Sequence, residues 1–167
     1  MPSVSRPLLL LLTLFVLLIA PAAVADDDAW SLSAGIFDIG NFRETGQGGL
    51  AYRFATRDVW GMDLRPFVGV EVNSYGGFWG YGGLRYEIGL GQRWHLVPNF
   101  AISLYDQGND EGKDLGGVLE FRSAVDLEVS VGRAGRIGLS LSHLSNAGIY
   151  DFNPGTESLS LTYSFGR

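Results

Sequence analysis

Along most of this chain apolar and polar residues alternate one for one, which is the period of an extended strand with two unlike faces, not of a helix. The alternation predicts eight strands, at 29–38, 47–56, 63–74, 77–90, 92–105, 118–131, 135–146 and 156–166. In the first, Trp30, Leu32, Ala34 and Ile36 oppose Ser31, Ser33 and Gly35. The fifth sets Trp94, Leu96, Phe100, Ile102 and Leu104 against Arg93, His95, Asn99 and Ser103. The sixth sets Leu119, Phe121, Val125, Leu127 and Val129 against Glu120, Arg122, Asp126 and Glu128. Turn formers such as Asn153-Pro154-Gly155 punctuate the segments, and no fixed-length sequence repeat accompanies the strand-turn rhythm.

Eight alternating strands close into a barrel in one of two ways. A soluble ligand-carrying barrel keeps its apolar face inside, whereas a membrane barrel turns that face to lipid and keeps a polar lumen. Strands of about ten residues have the length that crosses a bilayer at a tilt. The polar face carries small residues and both signs of charge, Arg85 with Glu87 and Glu120 with Arg122, as a narrow self-neutralising lumen requires. Trp30, Trp94, Tyr163 and Phe165 fall near strand ends, where interfacial aromatic girdles sit. The expected fold is therefore an all-β, eight-stranded antiparallel transmembrane barrel of the outer-membrane type. Glycine at 24 of 167 residues and 13% aromatic residues suit a closed sheet.

The first 25 residues read as an address. Arg6 gives a positive start, Leu8 to Ile19 an apolar run of about 12 residues, and Ala23-Val24-Ala25 a small-x-small cleavage site. A spanning helix needs roughly 20 residues, so a cleaved signal peptide at 1–25 and a barrel domain at 26–167 are expected. Cleavage removes one of the 12 basic residues and none of the 18 acids, taking the formal charge from −6 to −7. An acidic exported chain without a basic patch is a poor partner for nucleic acid. No cysteine is present, so disulfides and thiolate metal sites are excluded, and no metal-ligand spacing or phosphate-cradling loop occurs. The triple aspartate Asp26-Asp27-Asp28 reads as a solvated terminus.

In such a barrel both termini lie on the periplasmic side and the longer connections lie outside. Gly89–Gln92 and Gly132–Gly135 are short, as inner turns should be, although Thr56–Met62 is long for one; Asp38–Gln47, Asp106–Gly117 and the connection at about 147–155 are then external. His143 and Ser145 share the outward, apolar stripe near the outer end of the seventh strand, and Glu157 lies on the matching stripe at the outer start of the eighth. Cross-strand neighbours stand about 4.5–5.5 Å apart at Cβ, so Glu157 can reach His143. In the outer membrane of a Gram-negative cell that outer leaflet is lipopolysaccharide. A serine becomes a nucleophile when a histidine takes its proton, and a carboxylate on the far ring nitrogen fixes the tautomer. The assignment is Ser145 nucleophile, His143 general base then acid, and Glu157 orienter. Asn146 and the backbone N–H of Gly148 are the oxyanion-hole candidates. Each has a plainer reading: Glu157 as a solvated loop-end acid, Asn146 and Gly148 as the start of a loop. His95, facing the lumen without a serine at its height on the stripe, reads as structural.

The run His143-Leu144-Ser145-Asn146-Ala147-Gly148, followed by Asn153-Pro154-Gly155-Thr156-Glu157-Ser158-Leu159, resembles the C-terminal signature of the outer-membrane lipid A 3-O-deacylases. The likeness is specific over about 25 residues and elsewhere is one of strand pattern and length. One departure is the end of the chain, where Gly166-Arg167 follows Phe165; many such barrels end on the aromatic. The resemblance implies an eight-stranded barrel with an external His143–Ser145–Glu157 triad and an oxyanion hole drawn from Asn146 and Gly148. It also implies cofactor-free hydrolysis of the ester-linked acyl chain at position 3 of lipid A. The partners it implies are lipopolysaccharide and the surrounding outer-membrane lipids, with a homodimer left open. The competing function is a non-catalytic outer-membrane barrel serving adhesion or envelope structure. Its external loops, about a dozen residues at most, are short for a binder.

Overall fold

The computed structural model describes residues 28–41, 43–131 and 135–166, so the expected signal peptide at 1–25 lies outside the described residues. Ten strands appear: β1 (Ala29–Phe37), β2 (Thr45–Arg53), β3 (Arg57–Val59), β4 (Met62–Asn73), β5 (Phe78–Tyr86), β6 (Ile88–Leu90), β7 (Trp94–Asp106), β8 (Leu119–Val131), β9 (Gly135–Ser145) and β10 (Thr156–Gly166). Two are continuations. Arg53 faces Phe67 while Arg57 faces Leu64, so four steps along one strand meet three along the other. That one-residue bulge turns β2 into β3, and the hairpin closes at Trp60-Gly61 with both residues at positive φ. The seemingly long inner connection at 56–62 is thus mostly paired strand. β6 continues β5 in unchanged register across Glu87, Arg85 facing Asn99 and Ile88 facing Leu96. The ladder lapses opposite Pro98, which has no N–H to give.

The remaining eight staves pair with their sequence neighbours, and β1 pairs with both β2 and β10, which closes the barrel. The register runs from Ala29 through Arg53, Phe67, Gly83, Ala101, Arg122 and Leu144 to Thr156. Because Phe37 faces Ser158, Thr156 lies level with position 39, ten residues above the start at 29. A shear of ten over eight strands tilts them by about 40°, within the range of membrane barrels.

The polarity is inverted, as the alternation predicts. Leu139, Leu141, Leu159, Leu161, Phe100 and Leu104 point outward and are exposed, while Arg53, Glu71, Arg122, Asp126 and Glu128 are buried in the lumen. A bare apolar wall around a charged interior is stable only in lipid. Trp30, Trp94, Tyr163 and Phe165 all face outward at the inner end, with Trp30 edge-on to Tyr52 at 4.8 Å and Tyr163 stacked on Phe165 at 5.9 Å. Inside, Glu128 receives Arg85 at 2.6 Å, Arg136 at 3.2 Å and Arg53 at 3.5 Å. Asn99 links Arg122 at 2.9 Å to Asp126 at 3.1 Å. The mid-lumen void among these groups is about 50 Å³, too small for a solute channel.

One part of the interior departs from the polar expectation. Phe37, Trp79, Tyr105, Leu115 and Leu144 pack together at the outer end, with ring centroids 5.3 Å (Phe37–Trp79) and 5.9 Å (Trp79–Tyr105) apart. They form an apolar plug under the external loops. Asp38 ties those loops together: its Oδ1 accepts from Thr156 Oγ1 at 3.0 Å and from Asn41 Nδ2 at 2.9 Å, and also pairs with Lys113. The plug and this hub make a firm base at the outer end, where β9 and β10 end and begin.

Candidate active site

β9 and β10 place the acid and the base by register alone. Glu157 is the direct cross-strand partner of His143, and both side chains project from the outward face. His143 Nδ1 lies 3.0 Å from Glu157 Oε1, with the two side chains 45% and 52% exposed on a wall that meets lipid. The carboxylate has no other side-chain partner among the described residues. Its contact with Nδ1 leaves Nε2 as the nitrogen that can exchange a proton with a hydroxyl. Ser145, the last residue of β9, shares the outward parity of His143 and is partly exposed. No hydrogen bond joins the two in this structure. Proton transfer between them requires closing to hydrogen-bond reach.

Two outward residues on β8 complete the patch: Phe121 opposite Ser145, and Ser123 opposite His143. Phe121 stacks on Phe100 at 6.0 Å, giving an apolar floor beside the serine. Ser123 sets a second hydroxyl in register with the same histidine, a residue absent from the sequence reading. Only the β8–β9 register reveals it.

The segment after Ser145 is tightly held. Asn146 has the opposite parity, points inward and is fully buried. Its amide donates to Leu115 O and Phe152 O, both at 2.8 Å, and its backbone N–H donates to Asn153 Oδ1 at 3.1 Å. Gly148 N–H donates to Asn146 Oδ1 at 3.0 Å. Both expected oxyanion residues therefore lie beside the triad with their donors engaged. A buried amide must satisfy its whole inventory, and at this strand end backbone carbonyls are the acceptors within reach. Ala147, between them, has φ of 54°. Its N–H meets no protein acceptor among the described residues.

Gly155 proves to be more than a turn signal. It has φ of 62°, and a Cβ there would lie 2.8 Å from His143 Cε1 and 3.4 Å from Nε2. Only glycine lets the returning loop pass over the imidazole. Gly117 similarly lies flat on the Tyr150 ring, whose hydroxyl accepts from Leu119 N–H at 3.2 Å. These contacts dock the loop at 147–155 onto the one at 106–118.

His95 is not as isolated as the stripe implied. Its Nε2 lies 3.1 Å from Ser130 Oγ, on the neighbouring strand β8, and its Nδ1 lies 2.9 Å from Glu87 Oε1. The hydroxyl comes from across the sheet, which a reading confined to one strand could not see. Among the described residues no group of three or more His, Cys, Asp or Glu could hold a metal ion.

Fold and patch together define an eight-stranded membrane barrel that bears a histidine, a glutamate and a serine on its lipid-facing wall. The sequence model of the family described as Lipid A 3-O-deacylase (PagL) matches residues 46–166, and the chain belongs to that family. Lipid A deacylase PagL of Bordetella bronchiseptica is 28% identical over 114 residues, a match that spans 64% of this chain and 64% of the relative's length. In three dimensions the chain is similar to the outer membrane enzyme PagL, with a TM-score of 0.65 at 18% identity, over 83% of this chain and 99% of that one. It is also similar to Neisserial surface protein A, with a TM-score of 0.54 at 10% identity, over 84% and 96%. At those identities the two solved structures establish the shared barrel fold.

Proposed function

We propose that this chain is a lipid A 3-O-deacylase of the outer membrane, using Ser145, His143 and Glu157 on the outer-leaflet side of the barrel wall. The observation that carries the reading is the 3.0 Å contact of His143 Nδ1 with Glu157 Oε1 on the lipid face, two residues from Ser145 in a strand. This contact lies outside the lumen's salt-bridge network, at a depth near the interface where a charged group costs only about 0–1 kcal/mol. Membership of the family and the relative's name supply the substrate, the ester-linked acyl chain of lipid A.

In the reaction Ser145 Oγ attacks the ester carbonyl while His143 Nε2 takes its proton, and Glu157 stabilises the resulting imidazolium. His143 then returns the proton to the departing sugar oxygen, and water hydrolyses the acyl-serine in the same manner. No cofactor takes part. Gly148 N–H serves the oxyanion by exchanging Asn146 Oδ1 for the substrate oxygen, with the Ala147 N–H beside it. Asn146 acts through its buried bonds to Leu115 O and Phe152 O, holding the amide of Gly148 in place.

Purified, folded barrel in detergent with lipopolysaccharide tests this directly. The wild type is expected to release a 3-hydroxy fatty acid, and Ser145→Ala none above background. Equal release by both would move the nucleophile elsewhere, with Ser123 first in line.

A further inference from the structure

We infer that the inner mouth of the barrel carries a further esterase-like site, with Ser130 as nucleophile, His95 as base and Glu87 as orienter. Its substrates are short-chain carboxylic esters. The inference stands on its own geometry and does not depend on the outer site.

The three residues come from separate elements that meet on the lumen side of the inner end: Glu87 between β5 and β6, His95 near the start of β7, Ser130 near the end of β8. His95 Nε2 lies 3.1 Å from Ser130 Oγ, within proton-transfer reach. Glu87 Oε1 lies 2.9 Å from Nδ1 without a hydrogen bond between them, and Arg136 donates to both Glu87 oxygens, so a turn of the ring has to complete the order acid–base–hydroxyl. Gly89, directly across from His95, contributes no side chain, and nothing crowds its Cβ position, so the ring has room to turn.

One carboxylate, Glu128, meets Arg53, Arg85 and Arg136, and Glu87 meets Arg136 as well; Ser130 has no part in that charge balance. Cations also flank the hydroxyl. Arg136 faces Ser130 across the β8–β9 ladder, and Arg93 Nη2 donates to Ser130 O at 3.2 Å. A guanidinium beside the reacting carbonyl stabilises the charge that develops on its oxygen.

The substrate class follows from the space. Glu87 forms one wall of a cavity of about 240 Å³ at the mouth, which Thr56, Asp63, Arg65, Arg85 and Gly89 also line and which lies beside Ser130 and His95 rather than around them. That volume takes a small ester next to Glu87, and its two arginines are matched by two carboxylates, Asp63 and Glu87, so it selects no charge on the ester. Deeper in, the void shrinks to about 50 Å³, so a long acyl chain has nowhere to lie. Ser130 Oγ would bond to the carbonyl carbon as His95 Nε2 takes the proton. The ester C–O bond then breaks, His95 protonates the leaving alcohol, and water from the periplasm hydrolyses the acyl-serine.

The test uses folded full-length barrel in detergent, with folding checked by heat-modifiable gel migration. A short-chain fluorophosphonate probe is mapped by peptide mass spectrometry in a Ser145→Ala background, alongside hydrolysis of 4-nitrophenyl acetate. Labelling at Ser130, lost in His95→Gln and reduced about tenfold in Glu87→Gln, is the expected result. Ser130→Ala, a smaller change, should abolish the residual hydrolysis if the histidine variant fails to fold. A folded Ser145→Ala barrel with no label at Ser130, or with labelling indifferent to His95, would overturn the inference. Labelling of Ser145 in the wild type is read separately and bears only on the outer site.

Discussion

The protein's two histidines lie on opposite faces of the barrel wall and at opposite ends, each beside a glutamate and a serine. What separates them is the company their glutamates keep. Glu157 serves His143 alone on a half-exposed patch, so its full charge is available to hold the imidazolium. Glu87 is shared with Arg136, which donates to both of its oxygens at 2.7 and 3.0 Å. The hydroxyls differ in the opposite sense. Ser130 already touches its histidine, and Ser145, at a strand end, makes no hydrogen bond to His143. The same three side-chain types thus yield a site open to lipid with a committed acid, and one inside a salt-bridge network with a divided acid. Environment, more than residue type, sets what each can do.

The largest expected effect breaks the outer site alone. Ser145→Ala should lower acyl release from lipopolysaccharide by on the order of 10⁴-fold or more, as loss of a nucleophile does in serine hydrolases, measured as fatty acid released by the purified barrel. Glu157→Gln keeps the shape and removes the charge, and should cost on the order of 10²–10⁴-fold in kcat. The matching Glu87→Gln change should cost the inner site only about tenfold on 4-nitrophenyl acetate, because that carboxylate's charge is already divided. Gly155→Ala places a methyl against the imidazole at positive φ. It should slow deacylation roughly tenfold and destabilise the fold by about 1 kcal/mol, read from kinetics and urea unfolding. The smallest effect is expected from Ser123→Ala: a change in kcat of about twofold or less, consistent with a neighbour of the base that does not react.

Much of this was legible in the sequence because side chains alternate along a strand wherever no bulge interrupts it. Eight amphipathic stripes, an inverted polarity and the outward parity of His143, Ser145 and Glu157 all follow from that period. Register then turns parity into contact, and register is a property of pairs of strands. The Glu157–His143 pairing could be expected because a single loop joins their strands. Ser123 beside His143 and Ser130 beside His95 could not, since their neighbours come from the strand on the other side or lie diagonally across the ladder. The apolar plug was hidden for a different reason. Phe37, Trp79, Tyr105 and Leu144 sit on polar-parity positions of four separate strands, and only closure of the barrel gathers them. Asn146 and Gly148 follow Ser145 in the chain, so their closeness to it was legible. Their hydrogen-bond partners depend on where two external loops dock, which no local pattern encodes.

The most direct test of the central claim is mass spectrometry of lipid A from an enterobacterial host expressing either the wild type or Ser145→Ala, both confirmed as folded barrels in the outer membrane. The account predicts lipid A lighter by one ester-linked hydroxyacyl chain with the wild type, and unaltered lipid A with the variant. Loss of that chain with both proteins would contradict it.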